Sequence, residues 1–190
     1  MARVTALRER GARVEIELDG SSWRTVPLDA AARAGLRVGL ELDRERLREL
    51  RNALRRTQAG TRALRALRTR DLAAAELDAR LERSGFTAAE RTETVARLEQ
   101  TGLVDDARLA HSRAAVLAER GHGDASIRWD LEQRGIAAAH VEEALGALEP
   151  EPERASRIVA ERGAGPATAR LLARRGFDEE AVAAGRGTDL

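Results

Sequence analysis

The sequence predicts a mainly α-helical chain: three elongated tandem modules of three helices each, preceded by a small antiparallel β segment. Three observations predict it. A helix ending in glycine and then an apolar residue recurs three times, at Leu77-x-x-x-Leu81-x-x-x-Gly85-Phe86, Ile127-x-x-x-Leu131-x-x-x-Gly135-Ile136 and Thr168-x-x-x-Leu172-x-x-x-Gly176-Phe177. Period-two alternation is confined to the start of the chain, and aromatic residues make up only 2% of the composition, so the core must be built from Leu, Val, Ile and Ala. At 43% hydrophobic residues the chain holds enough apolar material to fold.

Along Arg13–Leu18 polar and apolar residues alternate, the pattern of a half-buried strand, and Asp19-Gly20 is a hairpin signal. The strand's partners are expected at Val4–Leu7 and Trp23–Val26, a sheet of up to three strands ended by Pro27, with Trp23 a packing residue over it. Beyond Leu42 everything reads as helix. Asp43 is placed to cap a helix whose Leu47, Leu50 and Leu54 share one face. In each repeat the glycine suits a left-handed C-cap, with the next apolar residue tucked under the helix. Thr87 with Glu90 forms a capping box, Asp178 caps the last helix and Asp124 an earlier one. The glycines lie 50 and 41 residues apart, room for a preceding helix at about 61–69, 106–120 and 151–163. The expected organisation is a β segment over 1–42, a basic linking helix over 43–60, and three-helix repeats over 61–101, 102–149 and 150–190.

Composition excludes much chemistry. All 33 residues counted as Lys+Arg are arginine, and Lys, Cys and Tyr are absent. There is therefore no P-loop or Schiff-base lysine, no thiol nucleophile, no disulfide and no cysteine-ligated metal. His111, His122 and His140 lack metal-ligand spacing, and Asp105-Asp106 reads as a helix cap, since neighbours on a helix point apart. Gly121-His122-Gly123 follows a helix rather than a strand and reads as a flexible connection, not a phosphate loop. No enzyme, cofactor or metal is expected. The early charges leave no room for a signal peptide, and no apolar run is long enough to cross a membrane, so a cytoplasmic protein is expected.

The formal net charge of +1 divides unevenly. Residues 37–70 carry eleven arginines against four acids, and residues 71–153 carry nine against eighteen. Clustered arginine attracts phosphate, and an acidic stretch beside it suits a protein partner. The alternative for Arg44–Arg56 is a solvated face of i,i+4 pairs, Glu41 and Glu45 against Arg44 and Arg48. Trp129 falls off the face of Ile127 and Leu131, at a core edge or at a partner contact.

The run Gly102-Leu103-Val104-Asp105-Asp106-Ala107-Arg108-Leu109-Ala110, with the flanking glycine-ended helices and Leu36-Arg37-Val38-Gly39 upstream, resembles the bacterial RecX family of recombination regulators. The chain departs from that pattern at Leu109, where an aromatic is common, at Ala73 in place of a hydroxyl residue, and at Thr168 in place of an aliphatic one. The resemblance implies a non-enzymatic modulator that binds the RecA recombinase in its filament on DNA and restrains its recombinase, ATPase and co-protease activities in DNA repair and the SOS response. A monomer is expected, with single-stranded or duplex DNA as a second, direct partner. Contact candidates on the repeats are Arg120, Arg128, Trp129, Arg134, Arg170, Arg174 and Arg175, and for phosphate Arg55, Arg56 and Arg62. The rival reading is a helix-turn-helix transcription factor, since three-helix modules also describe such domains. Against it, the third helices, over 88–100, 138–148 and 179–184, are rich in acids and alanine.

Overall fold

In a computed structural model, residues 2–187 are described. They divide into two compact units, one drawn from residues up to Thr69 together with Asp78–Arg97, the other from Arg70–Leu77 together with Leu98 onward.

The first unit opens with strands β1 (Ala2–Arg10), β2 (Arg13–Leu18) and β3 (Ser21–Pro27), joined in an antiparallel sheet of order β3-β2-β1-β4 by a two-residue β4 (Glu41–Leu42). Asp19 and Gly20 both have positive φ, 49° and 81°, the backbone of a tight hairpin whose twist matches its strands. Val14 and Ile16 point to one face, where they are buried with Val4, Val26, Ala31 and Leu42. Neither β4 nor helix α1 (Leu28–Arg33) was expected. Pro27 ends the strand as its missing N–H requires, but its φ of −57° also starts α1, and six residues are too few to show a helical period.

Helix α2 (Arg44–Leu67) is capped by the Asp43 carboxylate, which accepts from the Arg46 N–H at 2.8 Å. It runs through Gly60, so the expected separation of a linking helix over 43–60 from a helix over 61–69 is corrected to one continuous element. A helical glycine costs only about 1 kcal/mol, and Ala59, Ala63 and Ala66 are buried around it. A Cβ at Gly60 would lie 3.0 Å from Arg97 Nη2, the flexible end of a side chain that can give way. Helices α3 (Ala74–Arg83) and α4 (Ala88–Gln100) follow, the latter opened by the Thr87–Glu90 capping box.

In the second unit α5 (Asp106–Glu119), α6 (Asp124–Gln133) and α7 (Ala138–Gly146) pack on one another around Ala110, Ala114, Ile127, Leu131, Val141 and Ala144. Helices α8 (Glu151–Arg162), α9 (Pro166–Arg174) and α10 (Glu179–Arg186) form a second bundle around Ala155, Leu172, Phe177 and Ala181. The glycine signature is one backbone motif repeated. The N–H groups of Phe86, Ile136 and Phe177 donate to the carbonyls of Leu81, Leu131 and Leu172 at 3.3, 3.3 and 3.1 Å, closing each helix over a glycine with φ near +78°.

Two local expectations are corrected here. Gly121–Gly123 is not a loose link: the Gly123 N–H donates to the Arg175 carbonyl at 2.8 Å, and Ala125 N–H donates to that of Gly176 at 3.2 Å. Nor does Asp124 cap α6. Gly123 holds that position, while the Asp124 carboxylate binds Arg154 and its N–H donates to Glu151 at 2.7 Å.

Candidate functional site

Of the three arginines expected at phosphate, two are spent within the first unit. Arg55 lies on the polar side of α2 and donates both Nε and Nη2 to the Glu90 carboxylate at 3.0 Å. Its Nη2 also reaches the Gly85 carbonyl at 2.6 Å, and its guanidinium stacks over Phe86 at 4.9 Å. The paired charge holds the Glu90 carboxyl below its usual range. Arg56 pairs with Glu93 at 2.9 Å. Of the helix-face alternative, none of the pairs between Glu41 or Glu45 and Arg44 or Arg48 forms among the described residues; the pair on that stretch is Arg46–Glu49, three residues apart, at 2.8 Å.

Arg62 is different. It lines an open groove of about 710 Å³ together with Arg13, Arg24, Arg65 and Arg83, and no carboxylate lines it. A second concavity of about 330 Å³ shares Arg24, Leu54 and Gln58 with the first and adds Trp23 and Arg51. None of these six arginines has an ion pair among the described residues. Trp23 is 40% exposed and so is not sealed into the sheet as expected. Sequence reasoning missed Arg13, Arg24, Arg51, Arg65 and Arg83. The i,i+3 spacing of Arg62 and Arg65 on α2 was a visible signal, whereas Arg13 and Arg24 join the groove only through the register of β2 against β3.

In the second unit the sequence-predicted residues separate into structural and free. Arg134 is half-buried, donating to Asp130 at 2.9 Å and facing Glu76 at 3.4 Å. Asp130 also accepts two bonds from Arg113 at 2.9 and 3.0 Å, and these donors hold its carboxyl down at about 2. Arg128 pairs with Glu142. Arg175 is half-buried and reaches the Gly121 carbonyl at 3.4 Å. Arg120, Arg170 and Arg174 are exposed, and Trp129 is 64% exposed on α6. The buried cation is one that sequence reasoning passed over. Arg154 is 5% exposed, donating to the carbonyls of Glu149 and His122 at 2.9 and 2.8 Å and to Asp124, with the Phe177 ring 5.9 Å away.

The Asp105-Asp106 pair caps two helices. Asp105 accepts from the Arg108 N–H at the start of α5, and Asp106 from the Ala74 N–H at the start of α3, both at 2.8 Å. The second bond is made where Ala73, lacking a hydroxyl, has no side chain to cap with. His111 and His140 lie 3.8 and 3.9 Å from Glu143, and no group of three metal-ligating side chains forms among the described residues. No helix among the described residues is long and apolar enough to cross a membrane.

A four-stranded sheet unit and two glycine-closed three-helix bundles in tandem define a helical-repeat protein. Residues 105–145 match the family model described as RecX, second three-helix domain. A regulatory protein RecX of Halorhodospira halophila is 35% identical over 132 residues, 64% of this chain and 82% of that one. Its counterpart in Deinococcus radiodurans is 34% identical over 125 residues, and the match spans only 60% of that protein's length. The fold matches a crystal structure of regulatory protein RecX with a TM-score of 0.82 at 21% identity, covering 95% of this chain and 97% of the other. The chain belongs to the RecX family.

Proposed function

We propose that this chain binds the RecA recombinase on its DNA filament and restrains strand exchange, ATP hydrolysis and co-protease activity, acting as a non-enzymatic monomer in the cytoplasm. Membership of the family supports the role, and one observation supports the mode of contact: Trp129. A tryptophan 64% exposed beside the Arg128–Glu142 pair is the kind of rigid, amphipathic anchor that dominates protein interfaces. Arg120, Arg170 and Arg174 stand exposed on the same helical unit and supply charge for orientation, while the acids of the 71–153 segment give the partner an opposite sign to meet. Arg134, Arg128 and Arg175 are assigned to holding the bundles in shape. The transcription-factor reading gains nothing from the third helices, because the exposed side chains of α7 include Glu142 and Glu143, which repel a phosphate backbone.

The test is ATP hydrolysis and strand exchange by the cognate recombinase filament with this protein titrated in. Inhibition by the wild type is expected, weakened about tenfold or more in W129A by removal of an anchor worth about 2 kcal/mol, with the melting temperature of the free protein unchanged. Absence of any filament binding at low salt rejects the proposal.

A further inference from the structure

We infer that the arginine groove of the first unit is a binding track for a single strand of nucleic acid, with phosphates on the arginines and a base stacked on Trp23. This goes beyond recombinase regulation and stands independently of it. Six arginines without ion pairs among the described residues line two concavities that share Arg24, Leu54 and Gln58, and no carboxylate lines either. Such a wall is unfavourable to leave empty of counter-charge and attracts a polyanion. The Thr57, Thr61 and Ser84 hydroxyls also line the larger concavity, but each donates within the unit, to Asp29, to the Thr57 carbonyl and to the Arg80 carbonyl, so the phosphates fall to the arginines. Arg51 and Arg65 are 14 residues apart on α2, about 21 Å at 1.5 Å per residue. That length matches about six steps of a strand at 3.4 Å each, fewer if the strand is stretched.

The shape selects the strand over the duplex. A duplex is read by a convex element laid into its groove, whereas this surface is itself concave and carries an aromatic face. Trp23 lines it with Arg24 and Arg51, and base–aromatic stacking between flanking cations is the sequence-tolerant mode of single-strand binding. Arg55 also lines the smaller concavity, but Glu90 neutralises it, as Glu93 does Arg56, so neither is counted among the six cations.

The experiment contains no recombinase, so its failure is distinct from failure of the regulatory proposal. The chain has two tryptophans, and W129F leaves Trp23 as the sole emitter. Titrating this variant with a twelve-residue oligothymidylate should quench the emission, and log K should fall steeply with log salt. Replacing Arg62, Arg65 and Arg83 together by alanine should weaken binding at least tenfold at low salt and reduce the salt slope by about 2, at roughly 0.7 for each phosphate no longer neutralised. The triple lysine variant should retain most of that slope, which separates loss of charge from loss of fold. Three outcomes overturn the inference: no binding at low salt, a hairpin duplex binding as tightly as the single strand without quenching Trp23, or oligoglutamate displacing the strand at equal charge concentration, which would assign the groove to an acidic protein.

Discussion

At the scale of single residues, the second unit is organised by acids that serve several arginines at once. Asp130 takes bonds from Arg113 and Arg134, and its carboxyl titrates at about 2 in place of 3.8. A carboxyl depressed on folding contributes stability that is complete above its unfolded value and disappears as pH falls through its folded value. The D130N variant is therefore expected to lose up to about 2 kcal/mol at pH 7. In urea titrations the gap between D130N and the wild type should shrink between about pH 4 and pH 2; a gap that stays constant across that range would contradict the assignment. Little of this was legible beforehand. The i,i+4 spacing of Asp130 and Arg134 was visible, but Arg113, Glu142 and Glu76 lie 17, 14 and 58 residues from their partners Asp130, Arg128 and Arg134, and only the fold brings those together. Arg154 hid for a related reason: besides the Glu149 carbonyl five residues before it, its acceptors are the His122 carbonyl and the Asp124 carboxylate, 32 and 30 residues away around the start of α6.

Elements were far easier to read. Capping residues act within four positions of themselves, so Asp43, Asp105, the Thr87–Glu90 box and Asp178 each mark the helix start that the structure shows. The glycine-closed helices were legible because the closing hydrogen bonds span only five residues. What escaped was anything set by a close approach of distant backbone. A Cβ on Gly123 would run into the Gly176 carbonyl and the Phe177 nitrogen, and one on Gly176 would lie 2.6 Å from the Ser126 nitrogen. The two bundles of the second unit thus meet backbone to backbone. G123A should separate them, at a cost of about 1–3 kcal/mol for overpacking and more for the broken Gly123–Arg175 bond. The expected signature is faster amide exchange in α8–α10 than in α5–α7; uniform exchange across both would show that the junction contributes little.

Across the whole molecule, the sheet unit and the helical unit are not consecutive in sequence. The first borrows Asp78–Arg97 from beyond the stretch Arg70–Leu77 that belongs to the second. Arg55 finds Glu90, Gly85 and Phe86 in that borrowed stretch. A fragment ending at residue 69 should accordingly unfold at lower urea than one ending at residue 97, since it lacks every one of those partners; equal midpoints would show that the borrowed helices add no stability to the sheet unit. Composition gave no hint of this interleaving, because the helix signature is the same on both sides of each crossing.

The three crossings also bear on inheritance. A single genetic exchange between two relatives joins the front of one chain to the back of another, and here no joint keeps both units intact. A join after Thr69 divides the first unit; a join after Arg97 carries Ala73, a fully buried member of the α5–α7 core, over from the other parent. Ala73 and the Ile127, Leu131 and Ile136 side chains of that core must then fit although they come from different ancestors. Selection would tend to pass the stretch from α2 to α7 down as one linked block.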